Sequence, residues 1–252
     1  MGSFFSVFRH CLYRIAKDPL SFLSCILLPM GLLVWNNAVG MENFEGEIWI
    51  DGYNIVASSS GIVITMVFQF FGSSLVIDFL YKDLRGDMRW RLFAAPVSVN
   101  THVFAGLLAS MIFLVFSSVL LLGFGVVFYD AYLFNRFILA ATLLVTSFYA
   151  QLFGMLLFLI VPKKAAAELF IMASAFAMAI GGGLMIGELN LGRVGNFIFQ
   201  HVTPLALAIR AVQNSGFFVD NMPASIFNFT ALVAMTAGLA VVVFLLGRRR
   251  RF

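Results

Sequence analysis

The segment DFLYKDLRGDMRWRLFAAPVS, Asp78–Ser98, lies between two long apolar runs and carries four basic and three acidic residues. Apolar side chains recur once per turn at Leu80, Leu84, Met88 and Leu92, and the charges fill the other faces. That spacing predicts an amphipathic helix over 79–95. Between two membrane spans, such a helix lies under the bilayer and suits docking to something in the cytoplasm.

The runs on either side settle the class. Of 252 residues, 62% are hydrophobic and only 11% charged, too few charges for a soluble domain of this size. The runs reach eighteen residues or more, enough to cross about 30 Å of hydrocarbon. They are continuous rather than alternating, which disfavours a β-barrel. The fold expected is an all-α polytopic membrane protein with six transmembrane helices, at about 20–40, 56–78, 103–128, 137–161, 168–189 and 226–246.

Charge orients these spans. Thirteen of the sixteen Lys and Arg residues fall at the N-terminus (Arg9, Arg14, Lys17), after span two (Lys82, Arg85, Arg89, Arg91), after span four (Lys163, Lys164) and at the C-terminus (Arg248 to Arg251). Arg136, Arg193 and Arg210 fall on the other side. The positive-inside rule then places both termini in the cytoplasm. The first outer loop agrees, since Glu42, Glu45, Glu47 and Asp51 have no basic companion. No small-x-small site follows the first apolar stretch, so span one is expected to be retained rather than cleaved.

Residues 3–17 predict a separate amphipathic helix. Phe4, Phe8, Cys11, Leu12 and Ile15 share one face, while Arg9, His10, Tyr13, Arg14 and Lys17 fill the other. Such a helix lies in the headgroup layer, and Asp18-Pro19 breaks it before span one. Between spans five and six, the stretch 190–225 holds apolar pieces too short to cross, interrupted at Thr203-Pro204. It is expected to form two short helices that dip into the outer leaflet and return. Gly183 and Gly187 make a G-x-x-x-G in span five, a pattern that lets helices approach closely.

Several chemistries lack their residues. No G-x-x-x-x-G-K-[ST] occurs, so no P-loop binds ATP here. His10, His102 and His201 are expected in separate loops, and no H-E-x-x-H or G-x-S-x-G appears. Two cysteines, Cys11 and Cys25, build neither a disulfide framework nor a metal site. The chain is therefore expected not to be an enzyme. Glu168 and Glu188 lie near the ends of span five, so no midplane acid serves an ion-coupled carrier. The spans instead offer neutral polar groups, of which Asn36, Gln69, Gln151 and Asn228 are candidates to line a path.

Over essentially its whole length the chain resembles the permease subunit of an ATP-binding-cassette exporter of the ABC-2 class. The most specific likeness is Arg91-Leu-Phe-Ala-Ala-Pro-Val-Ser98, similar to a family segment in which Glu, Gly and Arg precede an L-L-A-T-P-V-S run. Thr203-Pro204-Leu205 followed by Ala-Leu-Ala-Ile-Arg210 is a weaker likeness. Counted back from Pro96, the family Gly falls at Asp87, one place after Gly86, and the family Glu falls at Asp83. The resemblance implies an elbow helix over 1–18 (with Arg9, Arg14 and Lys17), a coupling helix over 79–95 and a re-entrant segment over 190–225. It implies a transport path between two such permeases, alike or different, above two separate cytoplasmic ATPases that bind ATP and Mg. Asp83, Arg85, Asp87, Arg89, Arg91 and Pro96 would meet those ATPases.

The expected function is export of a hydrophobic or amphiphilic substrate (a drug, an antimicrobial peptide or a lipid-linked molecule) across a bacterial inner membrane, with no nucleic-acid partner. The alternatives are an ion-coupled carrier and a non-transporting immunity or scaffold protein.

Overall fold

The computed structural model describes residues 2–43, 49–86, 89–90, 98–181, 192–216 and 219–249. Helix α1, Gly2–Lys17, comes first. Asp18 ends it and caps the next helix, its carboxylate accepting from the Ser21 amide at 3.0 Å while Pro19 occupies the first turn. Short α2, Pro19–Phe22, continues through a π-helical turn, Leu23–Leu27, into α3, Leu28–Asn43. A two-residue hairpin of β1, Trp49–Ile50, and β2, Tyr53–Asn54, turns through Asp51 and Gly52, both at positive φ.

Asn54 then caps α4, Ile55–Phe71. After a turn at Gly72 the same rod goes on as α5, Ser73–Leu80, and as a π-helical turn, Tyr81–Arg85. Next come α6, Val99–Tyr129, α7, Arg136–Ile160, and α8, Lys164–Gly181. Short helices α9, Gly192–His201, and α10, Pro204–Gln213, precede a hairpin of β3, Ser215–Gly216, and β4, Val219–Asp220. The chain closes with α11, Met222–Arg249.

Among the described residues, five helices are long and apolar enough to cross a membrane: Pro19–Val39, Ile55–Arg85, Val99–Tyr129, Arg136–Ile160 and Met222–Arg248. The protein is therefore an all-α, membrane-embedded chain. The expected fifth span, 168–189, coincides with α8 only as far as Gly181. The rest of that span lies outside the described residues, with Gly183, Gly187 and Glu188.

The rod Ile55–Arg85 is the axle of the bundle. Over its apolar eighteen-residue stretch 83% of it is buried, against 17% to 50% for the corresponding stretches of the other four spans. Helices α3, α6, α7, α8 and α10 pack around α4, and α6, α7 and α8 around α5. Small residues permit the approach, as membrane helices need when lipid and protein are equally apolar. A Cβ on Gly72 would lie within 2.9 Å of three Leu114 side-chain carbons, one on Gly106 would strike the Phe79 ring, and one on Gly154 would meet the Ser73 carbonyl oxygen at 2.6 Å.

Two expectations are corrected here. Span two does not end at 78: its helix runs on through Arg85, into the stretch expected to begin a separate amphipathic helix over 79–95, and pairing with neighbouring helices satisfies the charges of Asp83 and Arg85. His102 is not in a loop but in the first turns of α6. The break at Thr203-Pro204 falls where expected, with Thr203 capping α10. Helix α10 is buried from Pro204 to Ile209, against α7 and α11.

Candidate functional site

Four side chains on the last two turns of the axle tie it to four neighbours. Asp78 is the first: it takes Lys82 at 2.7 Å on its own helix and Lys164 from the first turn of α8. Lys164 also reaches Glu168, at 3.5 Å.

Asp83 points the other way and is only 7% exposed. Arg14 of α1 donates one guanidinium nitrogen to both of its oxygens, at 2.9 and 3.2 Å. His102 Nε2 of α6 lies 2.8 Å from Oδ2. Phe79, one turn back, carries both partners: the His102 ring stacks on it at 5.0 Å and Arg14 lies over its face at 5.2 Å. A buried carboxylate needs such partners, since desolvation of an unpaired charge costs several kcal/mol, roughly. Beside this cluster Cys11 is 1% exposed, and burial pushes its thiol up to about 11 despite the nearby Arg14 charge.

Tyr81 and Arg85 close the end of α7. Pro162 has no N–H, so the Phe158 carbonyl lacks its ordinary helical donor. Arg85 supplies one, with Nη2 at 2.8 Å from that oxygen and Nη1 at 2.8 and 2.9 Å from the Val161 and Pro162 oxygens. The Tyr81 hydroxyl also donates to Val161. The guanidinium sits over the Tyr81 and Phe158 rings, at 4.9 and 4.5 Å, and its charge suits a helix C-terminus.

A second polar region lies deeper, between α4 and α7. Gln69 donates to Ser118 Oγ at 3.0 Å and to the Leu143 carbonyl at 3.3 Å. Gln151 donates to the Gly72 carbonyl, at the break in the axle, at 3.4 Å. Five buried oxygens on these two helices have no partner among the described residues: Gln69 Oε1, Thr142 Oγ1, Thr146 Oγ1, Ser147 Oγ and Gln151 Oε1. Buried polar atoms are nearly always bonded, so this seam has unused capacity for water or a polar ligand.

The residues named from sequence therefore separate. Asp83 and Arg85 are engaged within the chain, as is Arg14. Arg9, Lys17 and Arg89 are exposed, and Asp87, Arg91 and Pro96 lie outside the described residues. Gln69 and Gln151 come together at the seam, each 1% exposed. Asn36 is exposed, its neighbour Asn37 being the buried one, and Asn228 is half-buried; neither joins the seam. In the sequence Lys164 counts only toward the charge balance and His102 only as an isolated histidine, and nothing marks Thr142 or Thr146. Among the described residues, no group of three or more His, Cys, Asp or Glu could hold a metal.

The fold and this charged node define a membrane-embedded helical protein whose central span is anchored at one end to four neighbouring helices. The chain matches no protein-family model and no curated protein.

Proposed function

We propose that the chain is the membrane-spanning permease of an ATP-driven exporter of the ABC-2 class. It works as a dimer of permeases on two cytoplasmic ATPases, with six spans and both termini in the cytoplasm. The substrate is hydrophobic or amphiphilic, in keeping with charge-poor spans and a neutral polar seam. ATP and Mg belong to the partner subunits.

One observation carries the reading: the node joins α1 and the axle just where the charged segment 86–98 begins. A push on that segment reaches Asp83 and Arg85 first, and through them four helices at once. Asp83 and Arg85 then act as couplers inside the permease. The docking contacts fall to Asp87, Arg89 and Arg91, further along that segment.

Purification in mild detergent from the native host tests this. A co-eluting cassette ATPase, released by Arg91→Glu, is the expected result. A chain that elutes alone, with no nucleotide-dependent activity in any fraction, sinks the exporter reading. Labelling of a cysteine placed at Asn43 only after permeabilisation would overturn the proposed topology.

A further inference from the structure

Helices α1 and α2 do not lie flush against α5. A cleft of about 620 Å³ separates them, with His10, Tyr13 and Lys17 on one wall and Leu75, Phe79 and Lys82 on the other. Most of its surface is apolar, and charges of both signs sit at the rim. Nearly all of those charges are already used. Arg14 is held by Asp83, and Asp78 is shared by Lys82 and Lys164. Asp18 caps α2 and also accepts from the Ser21 hydroxyl.

Lys17 is the exception. Its ammonium lies 4.6 Å from the centre of the Tyr13 ring, and among the described residues it has no ion pair. Across the cleft, the Lys82 side chain is 59% exposed and has N–H donors beyond the one facing Asp78. Of the Lys and Arg side chains that line the cleft, Arg14 and Lys82 face carboxylates and Lys17 alone does not among the described residues, which suits it to one phosphodiester. From Pro19 the first span continues with Leu20, Leu23 and Leu27, which are 69%, 52% and 48% exposed.

We propose that this cleft holds the headgroup of a single anionic phospholipid. Its phosphodiester sits between Lys17 and Lys82, and an acyl chain follows Leu20, Leu23 and Leu27. This goes beyond a helix resting on charged lipid, because the cation that matters is Lys17 and not any cation of α1. It requires a bilayer but no ATPase, so it stands or falls apart from the exporter reading.

Native mass spectrometry of the full chain, released from nanodiscs of equal phosphatidylglycerol and phosphatidylcholine, tests it. One phosphatidylglycerol should stay bound in preference to phosphatidylcholine. Lys17→Gln should lower its occupancy about fivefold, the factor expected for one cation facing an anionic headgroup. Lys17→Arg should retain the lipid. Arg9→Gln, exposed on the same helix but outside the cleft, should change nothing. Equal retention of the two lipids, or equal losses in the Lys17 and Arg9 variants, would show diffuse attraction and overturn the site. Displacement by excess inorganic phosphate would point to a soluble phosphate ligand and overturn the lipid. Wild-type protein that emerges intact without lipid would do the same.

Discussion

Arg14 reaches Asp83 across 69 residues of sequence and holds both carboxylate oxygens from one guanidinium nitrogen, at 2.9 and 3.2 Å. The pair fastens an N-terminal helix to the central rod of the bundle. Its two ends differ in exposure, 38% for the Arg14 side chain and 9% for that of Asp83, so the carboxylate has more to lose. Arg14→Ala strands a buried charge with only His102 to meet it. We expect a cost of about 2 kcal/mol, between the values for exposed and buried pairs. Asp83→Asn keeps the shape and removes the charge, so it should cost less than Arg14→Ala. A double-mutant cycle on unfolding in detergent should give a coupling of about 1 to 2 kcal/mol. Additive effects would mean that the pair holds nothing.

Cys11 reports whether α1 stays docked. With its thiol pushed up to about 11 from an ordinary 9.0, the thiolate is about a hundredfold scarcer at neutral pH. In a Cys25→Ser background, maleimide should therefore label Cys11 very slowly near pH 8. Arg14→Glu breaks the anchor at Asp83; although it also takes away the charge that favours the Cys11 thiolate, undocking of α1 should speed labelling markedly. The linkage has a definite sign. A folded-state value raised above the unfolded one gives stability that is complete below 9.0 and is lost as pH rises toward 11. Cys11→Ala should remove that part of the alkaline fall in stability. Fast labelling of Cys11 in the otherwise native chain would show that α1 does not pack as described.

The contrast between helices and pairings explains what one sequence discloses. Apolar runs and capping residues are local, so five of the six expected spans, the break at Asp18-Pro19 and the break at Thr203-Pro204 are legible. Most partners of Asp78, Asp83 and Arg85 are not, because Arg14, Lys164 and the end of α7 come from 69 to 86 positions away and His102 from 19, and no local spacing marks them; only the Asp78–Lys82 pair is local. Residues 79–85 therefore look, in sequence, like the start of a separate amphipathic helix rather than the end of span two. Asn36 and Asn37 show the same limit in miniature. They are adjacent and identical, yet only packing decides that Asn37 turns inward. The seam residues Thr142 and Thr146 look like ordinary span residues until α7 is set against α4.

Glycine substitutions separate close packing from mere composition. A Cβ at Gly154 would lie 2.6 Å from the Ser73 carbonyl oxygen and 2.5 Å from Val76 Cγ1, so α5 and α7 must move apart. Gly154→Ala should cost about 1 to 3 kcal/mol, the range for overpacking a filled core. Gly123, in α6, has open space around the same position. Gly123→Ala should be neutral, or stabilising by a few tenths up to about 1 kcal/mol through helix propensity. Thermal unfolding of the two variants in one detergent decides the matter. Equal tolerance at both sites would contradict the α5–α7 approach.

The polar seam can be a packing device or a path, and its two glutamines distinguish these. Gln69 bridges α4 to Ser118 and Leu143, and Gln151 covers the Gly72 carbonyl. Interhelical hydrogen bonds in membranes average only about 0.6 kcal/mol by double-mutant cycle. Replacing either with Leu also removes a buried oxygen that has no partner, which offsets part of the loss. Gln69→Leu and Gln151→Leu should therefore change stability by no more than about 1 kcal/mol. A path that uses Gln69 Oε1, Thr146 and Ser147 to wet its substrate would nonetheless suffer. Transport, or substrate-stimulated ATP hydrolysis in the assembled complex, should fall about tenfold, the factor for one lost polar contact of ordinary strength. Asn36→Leu, exposed and away from the seam, should leave transport intact. Unimpaired transport in both glutamine variants would assign the seam to packing alone and move the path elsewhere.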